Sequence, residues 1–149
     1  MASPTASPPA AATATAGDPD RAADVEQITQ VVRDIETGFN TNDVELCVRH
    51  FTADASAVSA LGVRTTGRDA LVEAHRAGLG GPLADEHAHY EVDDVVFLHR
   101  DVALAHKRAW ATTPTGELLA PDPAMVALYV MVRRDGRWWI ASRANTLVQ

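Results

Sequence analysis

Apolar positions recur at helical spacing in the first half of the chain and at strand spacing in the second. Val25, Ile28, Val32, Ile35 and Phe39 are three or four residues apart, which lays one apolar stripe along a helix. Asp18 before Pro19 supplies an N-cap carboxylate and a proline at the first helical position, and the end falls near Gly38 to Asn40. Asn42 and Glu45 form a capping-box pattern that predicts a short second helix burying Val44, Cys47, Val48 and Phe51. Residues 54–61 read as a strand closed by Gly62. Thr66, Gly67, Arg68 and Asp69 then open a third helix, with Leu71, Ala74, His75 and Gly78 on one side and Gly80, Gly81 and Pro82 as its stop. Four strands follow, over residues 87–98, 102–112, 124–133 and 137–147; Asp135 and Gly136 between the last two suit a type I′ turn. Helices first and then an antiparallel meander predict an α+β fold, with three N-terminal helices packed on one face of a curved sheet.

One of these strands stands out. Val102, Leu104, His106, Arg108 and Trp110 are large, whereas the alternate set Ala103, Ala105, Lys107 and Ala109 is small or charged. Because side chains alternate across a sheet, the large set is expected to share the buried face. An unpaired buried arginine costs roughly 3 to 5 kcal/mol, so His106 and Arg108 on that face predict a cavity with polar work to do.

Composition narrows the setting. With 149 residues, 46% hydrophobic and 22% charged, the chain suits one domain with a sizeable core. A net charge of -7 and a single lysine, Lys107, argue against nucleic acid or an anionic membrane as the main partner. The lone Cys47 excludes an internal disulfide and a multi-cysteine metal site. Nothing reaches the length of a membrane span and the start lacks the order of a secretion signal, so a cytoplasmic protein is expected. Residues 1 to about 17 are mostly Ala, Pro, Ser and Thr and read as a disordered tail, leaving 18–149 as the single domain.

The segments Gly38-Phe39-Asn40-Thr41-Asn42-Asp43, Phe51-Thr52-Ala53-Asp54-Ala55, Gly67-Arg68-Asp69-Ala70-Leu71 and Asp135-Gly136-Arg137-Trp138-Trp139-Ile140 resemble the nuclear-transport-factor-two-like superfamily in its SnoaL-like branch, over about residues 24 to 148. More closely, Ala74-His75-Arg76 with Gly81-Pro82-Leu83, then residues 102–108, then Asn145-Thr146-Leu147-Val148, is similar to the SgcJ/EcaC group associated with enediyne polyketide gene clusters. The resemblance implies a cone-shaped mixed or antiparallel sheet enclosing a cavity with the helices, and a homodimer formed through the outer sheet. It also implies a polyketide ligand and contact with a polyketide synthase. The superfamily includes isomerases, cyclases, dehydratases and members that only bind, so fold does not settle function.

Ketosteroid isomerases of this superfamily offer a residue-by-residue comparison. Their oxyanion-hole tyrosine falls at Ile35, their aspartate base at Ser59 and their protonated aspartate at Leu128, so none of the three functional groups is present. The comparison puts His106, Arg108 and Trp110, with Ala141, Arg143 and Asn145, on the cavity side. The resulting expectation is a polar end formed by His106, Arg108, Arg143 and Asn145, with His106 and Arg108 the catalytic candidates. Phe39, Phe51, Ser59, His75, Trp110, Leu128 and Ala141 complete the expected ligand-binding set. The competing reading pairs Arg108 with a helix carboxylate such as Asp34 or Glu36 and makes His106 a satisfied core histidine.

Other candidates read as structural. His87 and His89 have metal-ligand spacing, but Glu91 and Asp93 continue the same face, which favours solvent. His50 at a helix end favours the dipole, and Ser59 has no base or elbow turn beside it. Neither a Gly-rich dinucleotide loop nor a metal triad is present, so no cofactor is expected. Two functions remain open: a binding protein for a polyketide or polyene intermediate, accessory to a polyketide synthase, and a cofactor-free cyclase, isomerase or dehydratase using the same pocket.

Overall fold

A computed structural model describes residues 6–149. Its elements are β1 (Ala14–Thr15), α1 (Ala22–Asn40), α2 (Val44–Val48), β2 (Phe51–Val58), β3 (Arg64–Thr66), α3 (Arg68–Leu79), β4 (His87–His99), β5 (Val102–Thr112), β6 (Met125–Arg134) and β7 (Arg137–Leu147). The strands form one seven-stranded sheet in the order β1-β4-β5-β6-β7-β2-β3. All neighbours are antiparallel except β2 and β7, which run parallel. The three helices and the mixed curved sheet are the expected α+β architecture.

Local chemistry accounts for most boundaries. The Asp18 carboxylate accepts from the Asp20 N–H at 3.0 Å and starts a 3-10 turn that feeds α1. The cap of α2 is Asp43, which accepts from the Leu46 N–H at 3.1 Å, rather than the expected Asn42. Asn42 instead takes a positive φ of 54° and donates its amide to Ala84 O. Asp135 and Gly136 both have positive φ, 55° and 72°, as the tight β6–β7 turn requires.

Two strands were not anticipated. β3 is a short extension beyond Gly62. β1 lies inside the segment read as a disordered tail and pairs Ala14 with Phe97 and Thr15 with Val96; the rest of that tail expectation falls partly outside the described residues.

The core fills the space between α1 and the concave sheet. Ile28, Val32 and Ile35 of α1 meet Phe97, Tyr129, Met131, Trp138 and Ile140, all 3% exposed or less. Between these large groups the sheet presents Ala103, Ala105, Ala127, Ala55 and Ala57. The facing of β5 is therefore the reverse of the expectation. Ala103, Ala105, Lys107 and Ala109 point inward and are buried, whereas His106 is exposed and Leu104 and Arg108 are half-buried on the outer face. The physical reason is volume: a helix lying close over a concave sheet already supplies large side chains, and close packing demands small ones opposite.

Candidate ligand-binding site

Register explains how the cavity arises. On the inner face, one cross-strand row runs Val92, Lys107, Ala127, Asn145, and the next runs Ala105, Tyr129, Arg143, Ala57. A third runs Tyr90, Ala109, Met125, Leu147. Large polar groups thus alternate with alanines in a checkerboard, and the alanines leave room above them. The result is a cavity of about 650 Å³, lined mainly by apolar side chains such as Ile35, Phe39, Leu71, Leu79 and Met125. Leu61, Val63, Leu83 and Leu147 also line it while being 41 to 83% exposed, and they form an apolar rim.

A bulge in β7 aims two of the polar groups. Trp138 and Ile140 point inward, and strict alternation would then send Arg143 and Asn145 outward. The β6–β7 register shifts between Val130 and Met131, leaving Ala141 as the extra residue, so that Arg143 faces Tyr129 and Asn145 faces Ala127 on the inner side.

The cavity floor is cationic and under-satisfied. Lys107 is 2% exposed, with Nζ 3.6 Å from the centroid of the Tyr90 ring and 5.6 Å from that of Tyr129. The Arg143 guanidinium lies 5.3 Å from the centroid of Phe51. Neither cation has a carboxylate at ion-pairing distance among the described residues. Tyr129 Oη, Arg143 Nε and Asn145 Oδ1 are buried without hydrogen-bond partners among the described residues.

Burial pushes the Lys107 ammonium below the usual lysine range. Tyr129 offsets part of this, without a well-formed hydrogen bond between them, and the Arg143 charge reinforces it. Burial, then Arg143, likewise lowers the His75 pKa against a hydrogen bond to the Leu71 carbonyl. His75 Nδ1 must carry the proton it donates to Leu71 O at 2.8 Å, so the neutral ring keeps Nε2 as an acceptor. Burial raises the Cys47 thiol to about 11, which makes it an inert part of the wall.

Of the residues expected from sequence, Phe39, Ser59, His75, Arg143 and Asn145 line the cavity; Trp110 borders it, but its ring lies 4.9 Å from the Arg108 guanidinium and beside His89 on the outer side. His106 and Arg108 do not. His106 pairs with Asp94 and Leu128 on the convex face, and Arg108 donates from Nε to Asp93 at 2.7 Å with Glu91 at 3.5 Å. The carboxylates that satisfy Arg108 thus belong to the neighbouring strand; Asp34, considered above as its partner, bonds His50 at 2.7 Å. Leu128 shares the outer face with His106, Phe51 is fully buried beneath Arg143, and Ala141 is the bulge residue outside the lining.

His89 is exposed beside Glu91, as a solvated face requires, whereas His87 reaches the cavity. Among the described residues no group of three His, Cys, Asp or Glu could hold a metal ion, and no helix is long and apolar enough to cross a membrane. Sequence reasoning missed Lys107, Tyr90 and Tyr129. The available signal was Lys107 itself, the only lysine of the chain, set in a row of alanines.

Comparisons agree with this fold. The model of the SnoaL-like domain matches residues 20–144. A domain of unknown function with a cystatin-like fold from Nostoc punctiforme is similar, with a TM-score of 0.76, 23% identity and coverage of 85% of this chain and 78% of that one. An uncharacterised protein of the same fold from Caulobacter vibrioides gives 0.70, 26%, 84% and 89%. A ketosteroid isomerase-like protein from Erwinia carotovora atroseptica gives 0.66, 19%, 85% and 97%. No curated protein matches the chain. The match across the helices and nearly the whole sheet makes this chain a member of the SnoaL-like domain family, with the nuclear-transport-factor-two or cystatin-like fold.

Proposed function

We propose that this protein binds a mainly apolar small molecule by a carbonyl or carboxylate end, and that the ligand is a polyketide or polyene intermediate. The observation that carries the reading is the pairing of an apolar cavity with two cations on its floor, Lys107 and Arg143, that lack carboxylate partners among the described residues. An anionic or strongly polarised oxygen would satisfy them, with Asn145 and Tyr129 as further hydrogen-bond partners. Likeness of residues 74–83, 102–108 and 145–148 to the SgcJ/EcaC group supports an accessory role beside an enediyne polyketide synthase. Incubation with the nascent product of such a synthase, followed by mass spectrometry of bound and transformed species, tests it. Recovery of bound, unchanged product is the expected result; product that stays free and unchanged contradicts it.

One observation favours turnover as a second reading. Neutral His75, fixed as the Nδ1–H tautomer, places an unprotonated imidazole nitrogen in a residue that shares the cavity with Lys107. A base and a cation in one dry site suit a cofactor-free cyclisation, isomerisation or dehydration. Under this reading His75→Ala abolishes product formation while the ligand still binds.

The outer face carries a separate proposal, a homodimer. Leu104, Leu128, Val130 and Val132 line the convex side of β5 and β6 around His106. In this role His106 and Arg108 belong to the subunit contact rather than to catalysis.

A further inference from the structure

We propose that Lys107 is a carbonyl-capturing amine that forms a reversible imine with an aldehyde or ketone carried into the cavity. The inference rests on the binding reading above and narrows its ligand class to carbonyl compounds. Three features of the site support it independently of that reading.

The amine lies against the Tyr90 ring, on the floor of an apolar cavity, with no carboxylate among the described residues to hold it as an ion pair. A lysine in such surroundings gives up its proton more readily than one in water, and a free amine is the nucleophile that attacks a carbonyl. Polar atoms needed by the later steps are close at hand on neighbouring strands. Tyr129 Oη, Arg143 Nε and Asn145 Oδ1 all lack partners among the described residues. Finally, the apolar walls limit the water that would hydrolyse the product.

The chemistry balances without an added reagent. The Nζ lone pair attacks the carbonyl carbon, and a proton moves from nitrogen to the new alkoxide to give a carbinolamine. The C–O bond then breaks as the Tyr129 phenol donates a proton, so one water departs and a C=N bond forms. The resulting iminium returns its proton to the phenolate. One amine and one carbonyl become one imine and one water.

Because Lys107 is the only lysine, the α-amino group is the internal control. At neutral pH an ordinary lysine holds on the order of 100-fold less free amine than an α-amino group, so an unremarkable side chain would label far more slowly. The experiment treats the full chain with cinnamaldehyde and cyanoborohydride at pH 7, then locates the added cinnamyl group by peptide mass spectrometry. Calorimetry with cinnamate measures non-covalent binding in parallel, and Lys107→Arg supplies a variant that keeps the charge but cannot form the imine. Labelling at Lys107 faster than at the α-amine, absent in Lys107→Arg, is the expected result. Labelling confined to the α-amine while cinnamate still binds overturns the imine and leaves the binding reading intact. Failure of both labelling and cinnamate binding overturns the two together.

Discussion

The Lys107 ammonium sits 3.6 Å from the centroid of the Tyr90 ring, on a strand face otherwise made of alanines. Cation–π attraction of about 2 kcal/mol in a desolvated site offsets only part of the cost of burying an unpaired charge. Lys107→Met should therefore raise stability by about 1 to 3 kcal/mol, measured as a higher melting temperature, while weakening ligand binding.

The same burial has a pH signature. Since the folded-state pKa of Lys107 is depressed, the unfolded chain binds more protons between the folded and unfolded values, and this group's contribution to stability rises with pH across that window. Tyr90 and His87 of β4, Glu86 just before it, Tyr129 of β6, Arg143 of β7, Glu36 of α1, Cys47 of α2 and His75 of α3 are the ionisable groups around the cavity and this site among the described residues. Cys47 and Tyr90 are pushed up and act in the opposite direction at alkaline pH. The difference between wild type and Lys107→Met cancels their terms to first order. Melting temperatures from pH 7 to pH 10 should show the stability advantage of the variant shrinking; a constant difference would contradict the account.

Asp34 and His50 tie α1 to the loop before β2 at 2.7 Å. Burial pushes the Asp34 carboxyl up, but hydrogen bonds from His50 and Gln30 outweigh it, so its pKa lies below the ordinary value. A depressed carboxyl contributes stability that is present above the unfolded pKa and is lost as pH falls through the folded one. Asp34→Asn should cost about 1 kcal/mol at neutral pH, with the gap to wild type closing in acid below about pH 4. Chemical denaturation at pH 7 and at pH 3 checks both halves.

Dimerisation through the convex face predicts that Leu128→Arg yields a monomer. Leu128 lies opposite His106 there and lines no part of the cavity. Light scattering should show a dimer for wild type and a monomer for the variant, and a monomeric wild type would remove the interface from the account.

The elements were legible because each repeats a local signal: stripes on α1 and α3, alternation in β4 to β7, and a turn dipeptide at Asp135-Gly136. Facing was legible only in part. On β5 size pointed the wrong way, since His106, Arg108 and Leu104 cover the convex sheet while alanines make room for α1. Side-chain volume reports depth only when the opposite layer is known, and that layer comes from residues far away in sequence. On β7, Arg143 and Asn145 were placed inward by family likeness, yet the structural cause is the bulge at Ala141, which no pattern of residues announces. The parallel pairing of β2 with β7 is likewise a long-range choice without a local mark.

The central claim is that ligand recognition belongs to the concave floor and not to the His106–Arg108 face. Affinity for a polyene carboxylate, measured by calorimetry for Arg143→Ala and Arg108→Ala side by side, tests it most directly. Arg143→Ala is predicted to weaken binding by about 10- to 100-fold and Arg108→Ala to leave it unchanged. Loss of binding in Arg108→Ala with full affinity in Arg143→Ala would contradict the account.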